Sequence, residues 1–141
     1  MKNTITTFFL FLLLAISGNS CAQKEKGRDT NGSEPKEAVV SLIAPDALDA
    51  INNGIQLIDI RTPEEFASGH LENAVNINFY ADDFEEQINQ LDKEKEVYLY
   101  CRSGGRSAKA AKNLETLGFK KVYDLEGGIL KWQKKKLKII Y

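Results

Sequence analysis

The chain has 141 residues, enough for one domain, since a division in two would leave each half short of core. Hydrophobic residues at 43% and charged residues at 28% are ordinary for a soluble globular protein. A formal net charge of -1 argues against a nucleic-acid binder, because neutralising phosphates needs a clustered excess of Lys and Arg.

The first segment, "MKNTITTFFLFLLLAISGNSC", has Lys2 near its start, an apolar run from Phe8 to Ile16, and small polar residues leading to Cys21. The run is far short of the ~20 apolar residues that span a bilayer, and it fits the hydrophobic part of a secretory signal. The segment resembles a bacterial lipoprotein signal. Residues 1–20 would then be the signal peptide, and Cys21 the acylated first residue of the exported chain. Ser20 suits the position before the cysteine, whereas Gly18 departs from the Leu-like residue usual three positions before it. An ordinary secretory signal and an uncleaved anchor are the alternatives. The resemblance implies a bacterial cell-envelope protein on the periplasmic side, lipid-anchored, touching membrane through that lipid only. One acyl group binds membranes marginally, so stable anchoring needs several chains on Cys21.

Cys101 is the other cysteine. With Cys21 lipidated it has no partner for an intramolecular disulfide, and an exported free thiol is a liability unless buried or used.

Residues 21–37, including "AQKEKGRDTNGSEPKE", are polar and offer almost nothing to bury, which predicts a flexible tether. The folded domain is expected over residues 38–141. "APDALDAINNG" predicts a helix opened by Pro45, with Ala47, Leu48 and Ile51 apolar and Gly54 as its stop. "IQLIDI" predicts a buried strand carrying Asp59 at its end. "TPEEFASGH" predicts a brief helix capped by Thr62, started by Pro63 and ended by Gly69. "AVNIN" is a weak strand, and "DDFEEQINQLD" a helix with Phe84, Ile88 and Leu91 at helical spacing. "EVYLYC" is a second buried strand. "GRSAKAAKNLETLG" is a helix with Ala108, Ala111 and Leu114 on one stripe and Gly118 as C-cap. "KKVYDL" and "GGILKWQKKK" supply a last strand and helix. The alternation predicts an α/β fold around a mainly parallel sheet with helices on both faces. Sites in such folds gather at the carboxyl ends of strands, where Asp59 and Cys101 sit.

A thiolate, not a thiol, is the nucleophile. Cys101 is followed by "RSGGRS" and a helix start, so helix-terminal amides and the charges of Arg102 and Arg106 would favour its anion. Gly104 and Gly105 would let successive amides turn inward to form an anion-binding nest. The competing reading is a buried strand-end cysteine, which a lone Cys without this loop would favour.

Here the chain resembles a known family. "CRSGGRS" resembles the active loop of rhodanese-like domains, often Cys-Arg-x-Gly-x-Arg-Ser. "LIDIRTPEEFASGHLENAVNI" resembles their upstream signature, with Leu71 for Ile and Asn73 for Gly, and "LEGGILKW" their closing Gly-Gly-x-x-x-Trp. The resemblance runs from about Ser41 to Trp132 and implies a rhodanese-like three-layer fold and sulfur transfer through a persulfide on Cys101. The amides from Arg102 through Ser103, Gly104, Gly105 and Arg106 to Ser107 would stabilise the anion. Arg102 would hold a small anionic donor such as thiosulfate. Arg106 would do the same or brace the loop against a carboxylate. Asp59 and Arg61 would support the loop from the neighbouring strand end. His70, the only histidine, reads as a structural hydrogen-bonding residue, because a preformed thiolate needs no base. Glu64 and Glu65 read as solvated charges, and Trp132 as a core anchor. "KWQKKKLK" reads as the wet face of a terminal helix, with contact to anionic lipid the other option.

The acceptor would be a thiol or cyanide-like nucleophile, with no cofactor, metal or nucleic acid expected. A noncatalytic binding or sulfur-relay module of the same fold is the alternative. A rhodanese-fold phosphatase ranks lower, because those enzymes place five residues between Cys and Arg, and here four separate Cys101 from Arg106.

Overall fold

The computed structural model describes residues 39–51 and 54–141. The signal-peptide, tether and Cys21 readings lie outside the described residues. Five strands and five helices alternate: β1 (Val39–Ile43), α1 (Pro45–Ile51), β2 (Gln56–Asp59), α2 (Pro63–Ala67), β3 (Val75–Asn76), α3 (Phe84–Asn89), β4 (Glu96–Tyr100), α4 (Gly105–Thr116), β5 (Lys121–Leu125) and α5 (Gly128–Lys134). The strands form one sheet in the order β1-β5-β4-β2-β3, and every pairing between them is parallel. β1 at the edge was not singled out in the sequence. Its "VVSLI" is only five residues long, and its apolar Val40 and Leu42 are exposed.

The period of two along each strand sorts side chains into two cores. Ile58, Val97, Leu99, Cys101 and Val122 face one way and pack with Phe84, Ile88, Ala110, Ala111 and Leu114 of α3 and α4. Leu57, Tyr98, Tyr100 and Leu125 face the other way and pack with Leu48 of α1 and Ile129 and Trp132 of α5. Helices therefore cover both faces of the sheet. Trp132 is buried and its indole N–H donates to the Lys138 carbonyl at 2.9 Å, which satisfies the ring's single polar atom. Among the described residues, no helix is long and apolar enough to cross a membrane.

Two stripes differ from expectation. On α4 the buried face is Ser107, Ala110, Ala111 and Leu114, while Ala108 is exposed. The i, i+3, i+4, i+7 set starts from Ser107, a polar residue that an apolar count passes over. On α1 only Pro45 and Leu48 are buried, and Ala47 and Ile51 face out.

The topology fixes where a site can form. β2 and β4 are neighbours, but the chain leaves β2 toward β3 and leaves β4 toward β5. A crevice opens between carboxyl ends whose connections part in this way. Asp59 ends β2, and Cys101 follows the last residue of β4.

Candidate active site

The Ile60 amide donates to the Tyr100 carbonyl at 3.0 Å, so strand pairing persists to the last residue of β4. The chain then turns over Cys101 and enters α4. Gly104 makes the turn with φ of +100°, a conformation that side chains with a β-carbon rarely adopt, and its amide points back to the Cys101 Sγ at 3.1 Å. The Ser107 hydroxyl, in the first turn of α4, donates to the same sulfur at 3.5 Å. Gly105 departs from the nest reading, since it has no left-handed φ and open space where a β-carbon would stand.

Cys101 is only 1% exposed and also belongs to the α3/α4 core, so the packed thiol and the cradled thiol are one residue. Burial pushes its pKa up. The Ser107 hydroxyl and the amides of Ser107, Gly104 and Ser103 pull it down and prevail, leaving the thiol more acidic than usual.

The glycine pair before α5 supports this loop from behind. The Ile129 amide donates to the Cys101 carbonyl at 3.0 Å, and the Leu130 amide to the Arg102 carbonyl at 3.1 Å. Gly128 has φ of +58°, and a β-carbon on it would lie 2.5 Å from the Cys101 carbonyl oxygen. Close approach of two backbones is what the pair provides.

Arg106 takes the bracing role. Its two terminal nitrogens donate to the two Glu65 oxygens, each at 2.7 Å. Glu65 is therefore not a solvated charge. It also accepts from the Thr62 amide at 3.1 Å while the Thr62 hydroxyl accepts from the Glu65 amide, which closes the capping box of α2. The Arg106 hydrogen bonds hold the Glu65 carboxyl at about 2, against the partial burial that opposes them. The sequence offered Arg106 this brace but not its partner, because Glu65 lies 41 positions away. Glu64 is exposed, as read.

Asp59 and Arg61 form a buried pair, with Nε to both carboxylate oxygens at 2.9 Å. The Arg61 Nη2 also donates to the Gly69 carbonyl at 2.8 Å, and the guanidinium lies 5.6 Å from the Tyr100 ring centroid. The Tyr100 hydroxyl accepts from the Leu71 amide at 3.1 Å. The pair makes no hydrogen bond to the Cys101 loop, and its support passes through Tyr100, the preceding residue. Asn76, another residue the sequence did not mark, ties the Asp59 and Arg61 carbonyls together at 2.9 and 2.8 Å.

His70 stands apart from the sulfur. Its Nδ1 donates to the Phe66 carbonyl at 3.1 Å, its ring stacks on Phe66 at 3.8 Å, and its backbone exchanges two hydrogen bonds with Ile140. These contacts fasten the C-terminal segment beside α2. Arg102 is exposed and closes no ion pair with the described residues. It lines a cleft of about 320 Å³ with Arg61, Glu65, Gly69, Leu130 and Gln133. Ser103 is exposed at the loop tip. Among the described residues, no cluster of three or more His, Cys, Asp or Glu could hold a metal.

The family profile described as "Rhodanese-like domain" matches residues 44–135. "Uncharacterized protein YqhL" of Bacillus subtilis (strain 168) is 42% identical over 77 residues, 55% of this chain, and the match spans 60% of that relative's length. "Thiosulfate sulfurtransferase 18" of Arabidopsis thaliana is 35% identical over 114 residues, covering 72% of this chain and 84% of that one. Among solved structures, a rhodanese-related protein from Thermoplasma volcanium aligns with a TM-score of 0.65 at 28% identity, covering 71% of this chain and 97% of that chain. The matched span runs from the head of α1 to the end of α5 and encloses the whole Cys101 loop: the chain belongs to the rhodanese-like domain family.

Proposed function

We propose that the protein is a sulfurtransferase in which Cys101 carries the sulfur. The Cys101 thiolate attacks the outer sulfur of a small anionic donor such as thiosulfate. A bond forms from Sγ to that sulfur, the donor's S–S bond breaks, and sulfite leaves with the electron pair. A thiol or cyanide-like acceptor then attacks the terminal sulfur, and Sγ regains its pair as the Sγ–S bond breaks. The observation that carries this reading is the anion-favouring cradle, with the Gly104 amide and Ser107 hydroxyl both donating to Sγ. Arg102, exposed and unpaired at the cleft, is the cation left to meet the donor. Thiosulfate is one donor of this class, and a persulfide is another.

Phosphate chemistry is less well supported. Four residues separate Cys101 from Arg106, one fewer than the phosphatases of this fold place there, and two of the Arg106 N–H donors already serve Glu65. A docking module would keep the fold without needing a cradled sulfur. The test is thiocyanate formation from thiosulfate and cyanide. We expect turnover by the parent and none by Cys101→Ser; no turnover in the parent together with no persulfide by mass spectrometry after donor exposure supports the docking reading.

The N-terminal segment adds a location. With residues 1–20 as signal and Cys21 acylated, the domain sits at the bacterial envelope, periplasmic side, on a tether of residues 21–37. Labelled palmitate should enter the parent and not Cys21→Ser, and an unlabelled parent contradicts it.

A further inference from the structure

Among the described residues, one buried side-chain oxygen has no hydrogen-bond partner, the Oδ1 of Asp124. Asp124 lies on β5, opposite Leu99 of β4 and Leu42 of β1, and is 4% exposed. An ionised carboxyl only accepts hydrogen bonds, so this oxygen needs a donor, and burying it without one is costly. Native structures rarely keep such a group without a use.

The surroundings leave room for that donor. β1 is the edge strand, and its exposed Val40 and Leu42 share a sheet face with Asp124 through the parallel register. α4 presents Ala108, Ala111 and Lys112 to the same edge, at the i, i+3 and i+4 positions of one helix stripe. Two alanines beside an edge strand leave space that longer side chains would fill. The result is a cavity of about 170 Å³ lined by these residues and Asp124. It holds about five or six heavy atoms, at the ~30 Å³ that a water takes in the liquid.

Water is a poor occupant. A buried water needs two to four polar partners, whereas Val40, Leu42, Ala108 and Ala111 make most of this wall apolar. One buried acceptor in an apolar pocket suits a ligand with a single donor head and a short apolar body. Burial pushes the Asp124 carboxyl above the ordinary carboxylate range, and a cation at hydrogen-bond distance is what favours its charged form. We propose that this cavity binds a short-chain primary amine, its ammonium donating to the Asp124 carboxylate and its alkyl chain lying along Val40, Leu42 and Ala108. Lys112 is the cation among the lining residues, but it is exposed and leaves the Asp124 oxygen unpartnered. No residue lines both this cavity and the Arg102 cleft, so the proposal does not depend on sulfur transfer.

The test is a titration of the isotope-labelled full chain with n-butylamine at neutral pH, where it is the ammonium, followed by amide NMR shifts. Saturable shifts are expected at Leu42, Lys112 and Asp124, with a Kd of about 1 mM, and none at Arg102. Butyrate, of equal length and opposite charge, should give no saturable shift. Asp124→Asn keeps the shape and removes the charge, and should weaken binding about tenfold or more. Ala108→Leu fills the cavity from an exposed position with Asp124 intact. It should abolish binding, and it serves if the Asn variant folds poorly. Absence of saturation by butylammonium, which leaves the carboxyl to water, overturns the proposal. So does butyrate binding as tightly, or an affinity that either folded variant leaves unchanged.

Discussion

Glu65 grips both terminal nitrogens of Arg106 at 2.7 Å, joining the first turn of α2 to the first turn of α4 across the mouth of the Cys101 loop. One carboxylate thus caps a helix and braces the Cys101 loop through two of the five Arg106 N–H donors. Glu65→Gln keeps the shape and removes the charge. For a pair this accessible, the expected cost is about 1 kcal/mol of stability by urea unfolding. Sulfurtransferase turnover should fall more than KM rises, because the loop is loosened rather than the donor site emptied.

The same pair has a pH signature. The Glu65 carboxyl is held at about 2, below its unfolded value of 4.5. Its stabilising contribution is therefore fully present above pH 4.5 and lost as pH falls through about 2. The stability gap between the parent and Glu65→Gln should be flat around neutrality and shrink below that upper value. A gap that stays constant into acid would assign the effect to packing rather than charge.

Gly128 and Gly105 separate two uses of glycine. Gly128→Ala brings a β-carbon to 2.5 Å from the Cys101 carbonyl oxygen at a left-handed φ. It should cost about 3 kcal/mol or more and abolish turnover. Gly105→Ala meets open space at the start of α4. It should be neutral or stabilise by up to about 1 kcal/mol through the unfolded chain. Thermal unfolding of the two variants side by side checks both.

Arg102 is exposed and unpaired, so its removal should leave folding alone. Arg102→Ala is expected to raise KM for thiosulfate about tenfold with Tm unchanged, the mark of a lost charge-assisted contact. Equal KM values would remove Arg102 from the donor site.

Much of this is legible in the sequence. The Thr62–Pro63 helix start, the strands ending in Asp59 and before Cys101, and the glycine turn at Gly104 are local signals, written within a few residues of where they act. The partner of the Arg106 brace was not legible, because Glu65 looks like an ordinary surface charge until the fold brings α2 beside α4. Ser107 hid the true α4 stripe, since a buried serine facing sulfur counts as polar. The Gly127–Gly128 pair was known only as a family likeness, and its reason is a backbone approach that no single-chain pattern encodes. Nothing in "KKVYDL" marked Asp124 as buried, yet it is 4% exposed.

The most direct measurement is intact-mass spectrometry of the domain after exposure to thiosulfate. The parent should gain one sulfur atom on Cys101 and lose it to cyanide as thiocyanate, while Cys101→Ser gains none. A parent that stays unmodified while its Cys101 remains open to alkylation, or a Cys101→Ser variant that still gains sulfur, would contradict the account.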